Sequence, residues 1–131
     1  MNRERLVPGI AALGAGVFLV FGLWPFFDAE SFFDDAAEFN PYNEHFLHDI
    51  GAFQIGIGAT LAIALWRRTD AIFAALAGAG IGSAFHTVAH IRDQDLGGRD
   101  GDIVFFLILT VLLLGGAAWR IAPSRSSAAR T

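Results

Sequence analysis

Cysteine and lysine are both absent from this chain of 131 residues. Without cysteine, the protein has no disulfide, no thiolate metal ligand and no thiol nucleophile. Without lysine, arginine is the only strong cation. Charged residues make up only 17% of the chain and hydrophobic residues 54%, which is far from the composition of a soluble domain. Water is therefore not the main solvent of this protein.

Four long apolar segments fill most of the chain, at residues 6–27, 46–66, 71–91 and 103–122. Each is close to the roughly 20 residues that a helix needs to cross the hydrocarbon of a bilayer. The first segment is not a signal peptide, because it exceeds the roughly 7 to 15 residues of such an apolar run and no small-x-small cleavage site follows. We predict an all-α fold, a four-transmembrane-helix antiparallel bundle that forms a single membrane domain over residues 1–131.

The arginines predict how this bundle is oriented. Six of them lie in the N-terminal segment, an inner turn at 67–70 and a tail at 123–131, and Arg120 just before the tail is a seventh; only two acidic residues lie on this side. The two loops on the other side, 28–45 and 92–102, carry ten acidic residues and two arginines, and Asp49 just after the first loop is an eleventh acidic residue. Cytoplasmic loops collect arginine, so both termini are expected to be cytoplasmic. We expect a multi-pass protein whose partner is the lipid bilayer, with no nucleic-acid partner.

The longer loop, 28–45, contains four aromatic residues between its acidic ones. Ser31, followed three residues later by Asp34, is typical of a helix start, and such a segment can lie in the headgroup layer. Asn40 and Pro41 then favour a turn before predicted helix two. This loop is expected to lie on the outer membrane surface.

All four histidines lie on predicted helices two and three. His86 and His90 are four residues apart, so they share a helix face. Antiparallel pairing about the short inner turn puts His48 and Asp49 at the depth between these two, with His45 one turn further out. We therefore expect four histidines and one aspartate to converge near the outer boundary of the membrane.

Small residues favour close packing of the same two helices. Gly56 continues the histidine face of predicted helix two, and Gly78 with Gly82 forms a GxxxG match on predicted helix three. The same glycines are suited to contact with a second subunit, in a homo-oligomer or a larger membrane complex. Gln54 lies on the opposite side of predicted helix two from His45 and needs another partner.

The cluster favours three interpretations. The first is a transition-metal or haem site: His48, His86 and His90 supply nitrogens to zinc or copper, Asp49 is a ligand or an orienting partner, and His45 lies nearby. Haem would lie between His48 and a histidine of predicted helix three.

The second interpretation is a non-catalytic structural or accessory subunit of a membrane complex, in which the polar groups serve helix packing. The third is proton translocation, but no titratable residue continues the path toward the cytoplasmic side. None of the three defines a reaction, so the sequence does not decide whether the protein is an enzyme.

The run NPYNEHFLHDIGAFQ at 40–54 and HTVAH at 86–90 resemble a family of small bacterial four-helix integral membrane proteins that is broadly DoxX-like. The likeness spans most of the chain. It implies a four-helix topology in a bacterial inner membrane, and it assigns no activity to the residues that match.

The orientation can be tested with reporter fusions at Thr131. If arginine controls the topology, a C-terminal reporter that is active only in the cytoplasm will be active, and one that is active only in the periplasm will be silent. A periplasmic signal would contradict the predicted orientation.

Overall fold

In a computed structural model, residues 3–37, 39–67, 70–93, 96 and 99–122 are described, and this part of the chain is helical without a β-strand. The helices are α1 (Arg3–Phe27), α2 (Ala29–Asp35), α3 (Glu44–Arg67), α4 (Ala71–Arg92) and α5 (Asp100–Ile121). Helices α1, α3, α4 and α5 correspond to the four predicted segments, so the predicted all-α four-helix bundle is confirmed. The predicted tail at 123–131 and residues 68 and 69 of the predicted inner turn lie outside the described residues.

The four long helices are each long and apolar enough to cross a membrane. Many large apolar side chains point away from the protein, among them Phe27, Phe85 and Trp66, which are 73 to 80% exposed. A face of this kind is stable against lipid and unfavourable against water. The chain is a multi-pass membrane protein, and the particular membrane and the side on which the termini lie stay predictions from the sequence.

The long helices form two close pairs, α1 with α3 and α4 with α5. In the first pair, glycines bring the two backbones together: a Cβ atom on Gly51 would lie 2.7 Å from the carbonyl oxygen of Gly22. A Cβ atom on Gly58 would lie 2.7 Å from the side chain of Leu19. Backbones approach this closely only where no side chain stands between them.

The second pair, α4 with α5, is joined by a glycine contact and by polar groups. A Cβ atom on Gly80 would lie 2.7 Å from the Leu114 side chain. At one end of the pair, a guanidinium nitrogen of Arg120 lies 3.2 Å from a carboxylate oxygen of Asp70. We call this the basic end of the bundle, and the opposite end, where α3 and α5 begin, the acidic end.

The two pairs meet in a shared apolar core that extends from the middle of the bundle to the basic end. Val7, Leu61, Leu76 and Leu113 come from four different helices and are at most 2% exposed. Toward the acidic end, the space between the two pairs is the cavity described below. The core thus joins the pairs at one end of the bundle, and a cavity lies between them nearer the other end.

Glycine packing differs from the sequence-based expectation. Gly56, Gly78 and Gly82 do not bring α3 and α4 together, because a Cβ atom on any of them would have no neighbouring atom within 4 Å. Gly51 and Gly58 instead turn the packed face of α3 toward α1. The predicted role of Gly78 and Gly82 in contact with a second subunit stays a prediction.

Helix α2 begins three residues earlier than a start capped by Ser31 would place it. The side chain of Asp28 is its N-cap and accepts a hydrogen bond from the backbone N–H of Ser31, at 3.2 Å. An aspartate is as good an N-cap as a serine, and its charge also favours the positive end of the helix dipole. The Ser31 hydroxyl instead accepts a hydrogen bond from the indole N–H of Trp24, at 3.1 Å.

Helix α2 lies across the acidic end and is held there by contacts on both sides. Phe32 is 7% exposed and packs edge-on against Trp24 of α1, with ring centroids 5.4 Å apart. The guanidinium of Arg99, just before α5, donates hydrogen bonds to the carbonyl oxygens of Asp34 and Asp35. A cation at the C-terminal end of a helix is favourable there. Helix α2 therefore connects both helix pairs at the acidic end.

The close contact of α1 and α3 predicts a marked difference between two glycines of α3. Gly51→Ala puts a methyl group against backbone atoms that cannot move aside, and we expect it to lower the free energy of unfolding by about 1–3 kcal/mol. Gly56→Ala places the same methyl group in open space, so it should be neutral or stabilise the protein by up to about 1 kcal/mol through helix propensity. Unfolding of both variants in detergent by a denaturant series measures the difference, and equal stabilities would contradict the packing described here.

Candidate functional site

A cavity of about 730 Å³ lies between the two helix pairs, and all four long helices contribute to its wall. Most of the wall is apolar and aromatic, with Phe18, Phe21, Phe105 and Phe106 among its residues. A second cavity of about 520 Å³ adjoins it toward the acidic end and shares part of its wall. Ligand sites in proteins are commonly concave, largely apolar and of this size.

Two imidazoles form one polar part of this wall. Nε2 of His86 lies 3.0 Å from Nε2 of His90, which is a hydrogen-bond distance. The two rings are stacked, with centroids 4.8 Å apart, and His86 also stacks on Phe106 of α5, at 4.1 Å. The i,i+4 spacing on α4 brings the two rings together, and the flat face of Phe106 holds them in this orientation.

Asp102, at the start of α5, adds a carboxylate to the imidazole pair. Its Oδ2 lies 3.7 Å from Nδ1 of His90 and accepts a hydrogen bond from the backbone N–H of Arg99, at 3.0 Å. The first distance is too long for a direct hydrogen bond, but the negative charge still favours a proton on Nδ1 of His90. Either ring can be the donor in the hydrogen bond between the two Nε2 atoms. Asp102, His90 and His86 thus form a polar row from the acidic end into the cavity.

Hydroxyl groups continue this polar strip one turn deeper. Thr110 of α5 donates a hydrogen bond to the Ser83 hydroxyl at 2.9 Å, and Thr87 donates to the Ser83 carbonyl oxygen at 2.8 Å. All three residues are buried, at 4 to 8% exposure. Because each hydroxyl has a partner, these residues hold α4 against α5 and fix the face on which the histidines lie.

Helix α3 contributes Asp49 and Gln54 to the opposite wall of the cavity. Oε1 of Gln54 is buried and has no hydrogen-bond partner in the part of the chain that is described. A buried acceptor without a partner is unfavourable, and a bound molecule with a donor group would relieve this cost. The predicted need of Gln54 for a further partner is therefore not met at Oε1 by any described residue.

The remaining two histidines lie outside the cavity wall. His45 is 87% exposed and its Nε2 lies 3.6 Å from Oδ2 of Asp49. His48 turns toward α1, where its ring lies 5.7 Å from the ring of Phe26, and its Nε2 lies 3.9 Å from Oε1 of Glu44. Of the five predicted site residues, the structure brings His86, His90 and Asp49 to one cavity and leaves His45 and His48 on other faces of α3.

The described residues contain no group of three or more histidine, aspartate or glutamate side chains close enough to hold a metal ion. The nearest arrangement is the pair His86 and His90. Two nitrogens 3.0 Å apart are compatible with one metal at the roughly 2.0–2.1 Å of imidazole coordination. A carboxylate beside the other nitrogen of a ligating histidine is a common orienting partner.

Asp102 and Phe106 were not among the predicted site residues. Both residues could have been placed near the histidines from the sequence, because α4 and α5 are consecutive antiparallel helices joined by a short connection. Counting outward from that connection at equal rises puts Asp102 level with His90, and Phe106 level with His86.

No family model, no curated protein and no solved structure matches this chain. The resemblance to DoxX-like proteins thus stays a prediction from the sequence.

Proposed function

We propose that this membrane protein binds an amphipathic small molecule in the cavity between its two helix pairs. The observation that carries the proposal is a mostly apolar cavity of about 730 Å³ with a paired His86 and His90 at its acidic end. Such a cavity holds an apolar body by van der Waals contact with its wall, and a few polar groups fix the orientation of the molecule.

The polar groups of the wall indicate the chemistry of the ligand's head. His86 and His90 donate and accept hydrogen bonds, whereas Asp49 and Asp102 repel an anion at close range. A carboxylate or phosphate head is therefore disfavoured. A neutral head with a hydroxyl or carbonyl group fits, since an imidazole can donate to either oxygen and can accept from the hydroxyl.

Metal binding is the second candidate, and the 3.0 Å separation of the two Nε2 atoms favours it. Zinc or copper would take both nitrogens, with Asp102 orienting His90 and with further ligands from a bound molecule or water. The proposed haem has less support, because the two imidazoles lie side by side on one helix and His48 faces away from them.

Mass spectrometry of the bound material tests the first candidate. The protein is purified in a mild detergent, and its organic extract is compared with that of His86→Leu, which keeps the volume but loses the hydrogen bonds. We expect one compound to be retained in near-equimolar amount by the wild type and to fall severalfold in His86→Leu. His86→Gln, which restores a donor and an acceptor, should retain part of it.

The matched control is His45→Leu, because it removes another histidine that is exposed and lies outside the cavity. It should retain the compound as the wild type does. An extract that contains only bulk membrane lipid, in the same amount for all variants, would count against the proposed function.

Elemental analysis of the same preparations tests the second candidate. If a metal binds at the imidazole pair, zinc or copper will be near equimolar in the wild type and in His48→Ala, and it will be lost in His90→Ala. The contrast arises because His48 turns toward Phe26 and not toward the pair. Metal well below one equivalent in wild-type protein purified without chelator would contradict this candidate.

A further inference from the structure

The wall of the cavity is more closed on the side where α1 meets α5 than on the opposite side. Phe18 and Leu109 line it there and are only 8% and 5% exposed. The rings of Phe21 and Phe105 lie across this side, with centroids 5.8 Å apart. Phe105 is the most exposed of these four residues, at 39%, so this side is more closed than the side where α3 meets α4, whose Phe53 is 78% exposed.

The side where α3 meets α4 is different. Phe53 of α3 lines the cavity and is 78% exposed, and Phe46 lines it at 49%. Across from them, Gly82 of α4 lines the cavity too, and a Cβ atom there would meet nothing within 4 Å. Cavity-lining residues that are also open to the surroundings mark a gap between the two helices.

This gap lies between two membrane-crossing helices, so the medium beside it is the bilayer. Phe46, Phe53 and Gly82 form an apolar part of its rim, which suits contact with hydrocarbon. Asp49, between the two phenylalanines on the same face of α3, also lines the cavity, and its side chain is 58% exposed. The acidic end of the cavity is covered in part by α2 and the segment after it, since Phe32, Ala36 and Phe39 line the wall there. An apolar molecule dissolved in the membrane therefore has a path into the cavity along the apolar residues of this rim.

We infer that the gap between α3 and α4 is a lateral portal through which a lipid-dissolved molecule passes between the bilayer and the cavity. The inference rests on the proposed function and adds the source of the ligand: it partitions into the membrane and does not arrive from water. The head reaches His86 and the apolar body lies along Phe53.

The natural absence of cysteine allows a direct test of the portal. A spin label on Gly82→Cys or Phe53→Cys, in lipid nanodiscs, is the only thiol-linked label on the chain. If the portal opens to lipid, both labels will collide more often with dissolved oxygen than with a water-soluble nickel chelate. Val111→Cys, on an exposed position of α5 that does not line the cavity, is the lipid-facing reference.

Two outcomes of the label experiment would overturn the portal. Collision chiefly with the nickel chelate would mean that the gap is filled with water. Shielding of both labels from oxygen and from the chelate would mean that a second copy of the chain or another protein covers the gap. Neither outcome depends on a ligand being bound, so the portal can fail while the proposed function stands.

A photoactivatable long-chain alcohol added to the nanodiscs then tests passage through the portal. It should label the peptide that carries Phe106, an inner-wall residue, and Gly82→Phe should reduce this labelling severalfold by filling the gap. Gly78→Phe is the matched control, because Gly78 is one turn away on the same helix, is equally open and does not line the cavity.

Equal labelling of Gly82→Phe and the wild type would overturn the portal and leave the ligand site intact. Absence of inner-wall labelling in the wild type would count against both. A Gly82→Phe protein that unfolds is recognised by loss of helical circular dichroism, and the label data at Phe53 then decide the question.

Discussion

The approach of α1 to α3 at Gly22 and Gly51 is the constraint on which the rest of the structure depends. These glycines let the two backbones meet where any side chain would separate them. In a membrane, helices gain little from burying apolar surface against one another, because lipid is equally apolar. Packing contacts and hydrogen bonds therefore decide which helices become neighbours, and here α3 becomes the neighbour of α1.

The second pair is held together by different interactions, and this difference explains why the polar groups of the site lie on α4 and α5. Helices α4 and α5 are held by buried hydroxyls of Ser83, Thr87 and Thr110 as well as by a glycine contact. The shared core joins the pairs over part of their length only, and the cavity lies between the pairs nearer the acidic end. The strip of polar groups that ties α4 to α5 provides the imidazoles of the cavity wall and the carboxylate of Asp102.

The histidines show how much of the site could be predicted from the sequence. The i,i+4 spacing of His86 and His90 was enough to predict a shared face, since helix geometry is local. His48 was predicted to join them from its depth alone, but depth does not determine the direction in which a side chain points. Rotation of α3 about its axis is set by the glycines that face α1, and this rotation turns His48 toward Phe26 and Asp49 toward the cavity.

The sequence by itself determined the number of membrane-crossing helices, their bounds to within a few residues, and the pairing of His86 with His90. These properties follow from hydrophobicity and from the helical repeat, which neighbouring residues define. Only the tertiary structure decided which helices are paired closely, where the cavity lies and that Asp102 and Phe106 belong to its polar wall. Such properties depend on contacts between residues far apart in the chain, and many different pairings of four apolar helices satisfy the same sequence pattern.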